Sequence, residues 1–258
     1  MIEFACSQGK KVALEEGVVI KKCFESQDVM QRELTGLKMF NMLLPEFTPA
    51  LIEVGTTYFL EEYATSYGVS VEGTNIVAAS KTYVEDCLAK ELALVYQRAY
   101  NRAPELYKMW TASLYKIEKD FRLSCYFLSE IGGNRIYAKV CKDLQQLRNE
   151  VCKPQNITFL HRDLHTGNVV INDYGIKLID FEHAMAGPFE LEFQNAIFWK
   201  DSKSLDYRKI ICSVVQKTGL SYNFELEKLL GSFYTADQLT QASKLNDLKK
   251  ISLLLSKL

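Results

Sequence analysis

The sequence predicts an α+β protein of two unequal lobes: a five-stranded antiparallel sheet carrying one helix over residues 1–64, and a larger, mainly helical lobe over residues 65–258. Three observations carry this expectation. Short β-favouring runs punctuated by turns fill the first 62 residues, and helical periodicity takes over from about residue 77. Between the helical stretches lies an island of apolar strands and polar residues, "FLHRDLHTGNVVINDYGIKLIDFEH", residues 159–183. At 258 residues, one domain or two closely packed lobes is expected, because single cores stop growing near this size.

Each element follows from its local pattern. Residues 2–5, 11–14 and 18–24 read as strands, separated by "CSQG" and by Glu15-Glu16-Gly17, and so form a meander. "SQDVMQRELTGLKMFNMLL" opens with Ser26 as N-cap and places Val29, Leu34, Leu37 and Phe40 near helical spacing, which predicts a helix on the sheet. Residues 50–54 and 58–63, divided by Gly55-Thr56-Thr57, complete the sheet, and "ATSYGVSVEGTN" is a connector. Helices are expected near 77–101, 105–130 and 135–152, broken by Ala103-Pro104 and by Gly132-Gly133. A strand at 157–160 leads to a hairpin, in which runs 169–171 and 176–179 are joined by Asn172-Asp173-Tyr174-Gly175. Residues 205–258 return to helix. The last stretch repeats Leu245, Leu248, Ile251, Leu255 and Leu258 at three and four, as a helix docked on its own lobe does.

Bulk properties narrow the function. With 31 Lys+Arg against 32 Asp+Glu, the chain has no nucleic-acid footprint. No apolar run reaches the roughly 18 residues of a membrane span and the N-terminus lacks a leader pattern, so a cytoplasmic protein is expected. Seven cysteines, an odd number without a C-x-x-C pair, fit reduced thiols better than disulfides or a zinc site.

The polar island carries the chemistry. Asn168 begins one strand of the hairpin and Asp180 ends its partner, so both side chains emerge at one end; Asp163 sits five residues before Asn168 on the loop leaving the 157–160 strand. Oxygen ligands that leave room for waters and phosphate oxygens suit Mg²⁺.

His161-Arg162-Asp163-Leu164, followed by Asn168, resembles the protein-kinase catalytic loop H-R-D-L-x-x-x-N at every fixed position, and Asp180-Phe181 stands where that family has its metal-binding Asp-Phe. The resemblance implies a bilobal kinase-like fold using ATP or GTP with Mg²⁺. Asp163 would orient an acceptor hydroxyl and take its proton, Asn168 and Asp180 would hold the metal, and His161 and Arg162 would brace the loop. Upstream it implies a strand lysine on the donor phosphates, held by a helix glutamate. "VVIK" points to Lys21 with Glu33. Lys22 competes, because neighbouring strand residues face opposite sides. "FLEEYA" resembles the linker where backbone groups of Glu62 and Ala64 meet an adenine edge. Only Ser7-Gln8-Gly9 separates the first two strands, so G-x-G-x-x-G is absent and Gly9 is left to admit a phosphate.

After Asp180, "LIDFEHAMAGP" has Glu182 in place of the protein-kinase glycine and reaches "GPFELEF" without a long activation segment; Ala103-Pro104-Glu105 precedes the catalytic loop, the wrong order for a peptide platform. This segment is similar to that of aminoglycoside phosphotransferases and choline/ethanolamine kinases, and the helical run 77–152 resembles their insertion. The implied function is transfer of a terminal phosphoryl group from ATP or GTP to a hydroxyl of a small molecule: an aminoglycoside, an amino-alcohol such as choline, or a sugar-like compound. Glu182, His183, Glu190 and Glu192 are near enough in sequence to line the acceptor side. Arg162, where small-molecule kinases often carry glycine, keeps a protein serine/threonine kinase as the alternative. A non-catalytic nucleotide-binding chain would be expected to have lost Asp163, Asn168, Asp180 or Lys21. Residues 183–258 hold eight Asp/Glu against ten Lys/Arg, a mild argument against a polycationic acceptor. A quaternary ammonium would want an aromatic cage, for which Phe189, Phe193, Phe198, Trp199 and Tyr207 are nearest, although aromatics so spaced are more often core.

Overall fold

The computed structural model describes residues 2–7, 10–15, 19–62, 67–68, 81–129, 134–149, 156–172, 175–199 and 205–257. Strands β1 (Ile2–Ser7), β2 (Lys10–Glu15), β3 (Val19–Phe24), β4 (Leu51–Val54) and β5 (Tyr58–Glu62) form one antiparallel sheet in the order β1-β2-β3-β5-β4, as the turn pattern predicts. Helix α1 (Gln27–Leu43) buries Met30, Leu34, Leu37 and Phe40. Ser26 holds the N-cap position with extended backbone, but its side chain makes no capping bond.

Beyond β6 (Tyr67–Gly68), the larger lobe contains α2 (Lys81–Ala99), α3 (Ala103–Ser124) and α4 (Asn134–Asn149). Pro104 lies in the first turn of α3, where its missing N–H costs nothing. Then come β7 (Ile157–Leu160), β8 (Val169–Asn172), β9 (Gly175–Leu178), β10 (Met185–Pro188), α5 (Gln194–Trp199), α6 (Tyr207–Thr218), α7 (Phe224–Lys244) and α8 (Leu248–Leu255). The β8–β9 hairpin stands as expected, with Gly175 at φ 130°, a backbone angle that favours glycine. Two pairings go beyond the sequence reading. Strand β10 pairs antiparallel with β7, and β6, inside the expected connector, pairs with β8.

One apolar core runs through both lobes. Phe40 of α1 packs on Phe159 of β7 at 5.4 Å and on Phe181 at 5.1 Å, so the helix of the smaller lobe is keyed to the residue after Asp180. Gly36 allows this approach. A Cβ there would lie 2.7 Å from the Phe181 carbonyl oxygen and 2.7 Å from Ala184 Cβ. Gly36→Ala is therefore expected to push α1 off the Phe181–Ala184 segment at a cost of about 1–3 kcal/mol, read as a lowered thermal midpoint.

The C-terminal stripe is corrected. Asn246 takes φ 52° and Asp247 caps a new helix by accepting from the Lys250 N–H at 2.9 Å, so the chain turns and restarts in a different phase. Ile251 and Leu254 are buried, whereas Leu245 and Leu248 are 69% and 75% exposed; Leu258 lies outside the described residues. Helix α8 still packs on its own lobe, against α7. No helix among the described residues is long and apolar enough to cross a membrane.

Candidate active site

Strand β7 delivers the loop. His161 is fully buried, with Nε2 2.9 Å from the Ile179 carbonyl oxygen and its ring against Phe181. Burial lowers its imidazole below the ordinary value, as suits a neutral ring bracing the end of β9. The next residue, Arg162, sits at φ 66°, a left-handed conformation that costs a non-glycine residue on the order of 1 kcal/mol or more. Glu192 compensates. Its carboxylate accepts from the backbone N–H of His161 at 3.0 Å and of Arg162 at 2.7 Å, fixing the turn that presents Asp163. Burial pushes Glu192 up to about 7 in spite of those bonds and the Arg162 charge. Glu192→Gln would set an NH₂ group against one of these two donors. The expected loss is about 1–3 kcal/mol in a denaturant titration, with transfer activity falling because the loop loosens.

Asp163 is held by donors on both oxygens. Asn168 Nδ2 donates to Oδ2 at 3.0 Å and to the Asp163 carbonyl at 2.9 Å, while Asn195 Nδ2 donates to Oδ1. Asn195 is itself oriented: Tyr234 donates its hydroxyl to Asn195 Oδ1 at 2.8 Å, and Trp199 Nε1 donates to the Tyr234 hydroxyl at 2.9 Å. Burial alone would raise the Asp163 carboxyl. The hydrogen bond from His165 and the neighbouring imidazoles of His165, His183 and His161, where they carry a proton, overcome this and hold it at about 2. It is an anchored carboxylate rather than a strong resting base.

The Ile179 N–H donates to the Asn168 carbonyl at 3.1 Å, closing the hairpin so that Asn168 and Asp180 leave it at the same end. With the Asn168 NH₂ turned to Asp163, its amide oxygen is the group left for a cation. Asp180 takes φ 67°.

The lysines depart from the expectation. Glu33 does not pair with Lys21, whose ammonium lies 4.7 Å from the centre of the Tyr58 ring. It binds Lys22 at 2.7 Å and Lys10 at 3.1 Å. Strand alternation is the reason. In the β2–β3–β5 register, Lys22 shares a face with Phe24, Phe59 and Glu61, the face towards α1, and Lys21 has the opposite one. Lys22 is clamped, because Glu61 holds it from the other side at 2.8 Å. Lys10, at the start of β2, reaches across the lobes to Asp180 at 2.7 Å and lies 3.8 Å from Glu182.

This cluster sets two ammoniums against four carboxylates, Glu33, Glu61, Asp180 and Glu182. His183, 3.3 Å from Glu182, adds a positive charge only when protonated. Burial pushes Glu61 up against the pull of the Lys22 ammonium. Glu33, Asp180 and Glu182 bring oxygens within 4.8 Å of one another, and Lys10 sits among them. An all-oxygen set in which one ammonium faces three carboxylates suits a hard divalent cation.

Beside Asp163 opens a cleft of about 200 Å³, lined by Arg162, His183, Asn195, Trp199, Tyr234, Gln238 and Lys250. Of the expected acceptor-side residues, His183 lines it and Glu182 faces Lys10 and His183. Glu190 does not line it. It is buried, accepting from the Asn223 N–H at 2.9 Å, and Glu192 lies beneath the loop. No aromatic cage forms from the five expected residues, since Phe189 and Phe193 are core and only Trp199 lines the cleft. At the linker, the Glu62 N–H bonds to the Ala50 carbonyl at 2.8 Å and its carboxylate to Lys177 at 2.6 Å, joining sheet to hairpin. Gly9 and Ala64 fall outside the described residues.

The Phosphotransferase enzyme family matches residues 134–212, the stretch that contains loop and hairpin. Among solved structures, a thermostable mutant of aminoglycoside phosphotransferase APH(4)-Ia in apo form superposes with a TM-score of 0.68 at 12% identity, covering 99% of this chain and 91% of that one. The GDP and kanamycin complex of APH(2")-IIia gives 0.64 at 14% identity, covering 99% and 91%, and macrolide 2'-phosphotransferase type I gives 0.62 at 12%, covering 99% and 89%. The chain has a protein-kinase-like, small-molecule-kinase fold. No curated protein sequence matches it significantly.

Several residues of this site escaped sequence reasoning. Tyr234, Asp237 and Lys250 belong to a stretch read only as helical pattern and Asn195 to a short helix that the sequence reading did not place, although a Gln-Asn pair inside "FELEFQNAIFW" and an acid inside "FYTADQL" are polar breaks in buried runs. Lys10 and Glu61 carry no motif and are found only through strand register.

Proposed function

We propose that the protein is a Mg²⁺-dependent phosphotransferase that moves the terminal phosphoryl group of ATP or GTP to a hydroxyl of a small molecule. The observation that carries this reading is the hydrogen-bonded assembly of Asp163, Asn168 and the end of β9 at one cleft, with the Lys10–Glu33 pair against Asp180. Nucleotide use is supported by the fold, for which the similar structures include GDP and ATP complexes.

Asp163 accepts a hydrogen bond from the acceptor hydroxyl and aims its oxygen at the terminal phosphorus. The new O–P bond forms as the bridging O–P bond of the donor breaks, the nucleoside diphosphate leaves with that electron pair, and the hydroxyl proton passes to Asp163 late and then to solvent. Asn168 and Asp180 would hold Mg²⁺, which neutralises charge on the donor phosphates when bound. Lys10 is the lysine that meets those phosphates, because it already faces Asp180, while Lys22 is enclosed by Glu33 and Glu61. Only Phe181 to Ala184 separate Asp180 from β10, which leaves no chain for a peptide platform and favours a small acceptor over a protein.

The test is nucleoside diphosphate formation with Mg²⁺ and ATP or GTP against panels of aminoglycosides, amino-alcohols, sugars and sugar acids, with a general protein substrate as control. Turnover stimulated by a small hydroxyl compound is expected. Turnover stimulated only by protein would replace the reading with a protein kinase.

A further inference from the structure

The cleft beside Asp163 has a charge pattern of its own. Its lining offers amides and a hydroxyl from Asn195, Gln238 and Tyr234, the indole of Trp199, and basic groups, but no carboxylate among the described residues. The carboxylates nearest to it are engaged. Asp237 pairs with Arg162 at 3.0 Å, Glu182 with His183 at 3.3 Å and more distantly with Lys10, and Asp163 takes the amides of Asn168 and Asn195. Arg162 is thereby neutralised. Lys250 is not: it is half-buried, its backbone N–H is spent on Asp247, and its ammonium has no partner among the described residues. Lys257 adds a second positive charge nearby, 4.7 Å from the centre of the Trp199 ring. An ammonium partly withdrawn from water and lacking a carboxylate favours an anionic ligand, and a polyamine would find no acid among the described residues of this wall to receive it.

We infer that the acceptor is a hydroxyl compound bearing an anionic group, a carboxylate or a phosphate ester, which pairs with Lys250 while the hydroxyl faces Asp163. This rests on the phosphotransferase reading and narrows it, setting polycationic acceptors aside on charge rather than on shape.

Trp199 supplies the reporter. The chain's other tryptophan, Trp110, is buried in the core, so ligand-dependent emission changes come from the cleft. The full chain is titrated with gluconate, glucose 6-phosphate, glucose and kanamycin. Gluconate or glucose 6-phosphate is expected to give a saturable change at concentrations on the order of tenfold below glucose; the arm that responds tells carboxylate from phosphate. Lys250→Glu should erase that difference, with Lys250→Gln as the substitute if circular dichroism shows a disturbed fold. Kanamycin should give no saturable change. The inference is overturned if kanamycin saturates below the acids, if glucose binds as tightly as they do, or if neither acid binds. Calorimetry of Mg–ATP on the same samples separates the two levels: nucleotide bound without either acid ends the inference alone, and nucleotide unbound ends the phosphotransferase reading.

Discussion

Asp163→Asn is expected to lower phosphoryl transfer by about 10²–10⁴-fold while the affinity for Mg–nucleotide stays unchanged. The wild-type carboxylate is fed by the amides of Asn168 and Asn195 and held down to about 2, so it is charged at any working pH and ready to align a hydroxyl. An amide in its place can neither take the proton nor accept from both neighbours, because its own NH₂ must face one of theirs. With its carbonyl oxygen turned to Asn168, the new amide still accepts from that side chain, which keeps the cation side in place. Single-turnover kinetics beside calorimetric nucleotide binding separates the two effects. A parallel loss of both would mean that Asp163 shapes the cleft without taking part in transfer.

The second large effect distinguishes the two lysines bound to Glu33. Lys10→Met should leave the protein folded and reduce kcat/KM for the nucleotide on the order of a hundredfold, the worth of one charge-assisted contact to phosphate. Folding survives because Asp180 and Glu182 are about a third exposed and Glu33 keeps Lys22. Lys22→Met should do the reverse. It strands Glu61, almost fully buried, without its cation and leaves Glu33 to Lys10 alone, and breaking such a buried pair costs about 3–5 kcal/mol. A thermal melt beside a donor titration resolves the pattern. If Lys22→Met instead folds normally and loses nucleotide binding while Lys10→Met is silent, the phosphate lysine lies on β3.

The fold and the loop were legible because both are written in local pattern. The runs that became β2, β3, β4, β5 and α1 each show their own periodicity and turn residues. The loop from His161 to Asn168 is contiguous, so its chemistry needs no knowledge of packing. What failed depends on register or on distant partners. Which of Lys21 and Lys22 meets Glu33 turned on a single-residue phase in "VVIKKCF", where apolar residues on both faces give the alternation no sign, and Lys10 carried no motif at all. Glu190 and Glu192 looked like acceptor ligands from their place after Asp180, yet a turn aims both inward at backbone N–H groups. Asn246 broke a leucine repeat that periodicity alone would have continued.

The central claim is that loop and hairpin build a donor site around a divalent cation. The most direct measurement is a crystal structure of the chain with Mn²⁺ and a non-hydrolysable ATP analogue, the metal located by its anomalous scattering. The account predicts the ion on the oxygens of Asn168 and Asp180, the terminal phosphate turned towards Asp163, and the Lys10 ammonium moved from Asp180 to the phosphates. A metal bound elsewhere, or a nucleotide seated away from the hairpin with Lys10 still on Asp180, would contradict it.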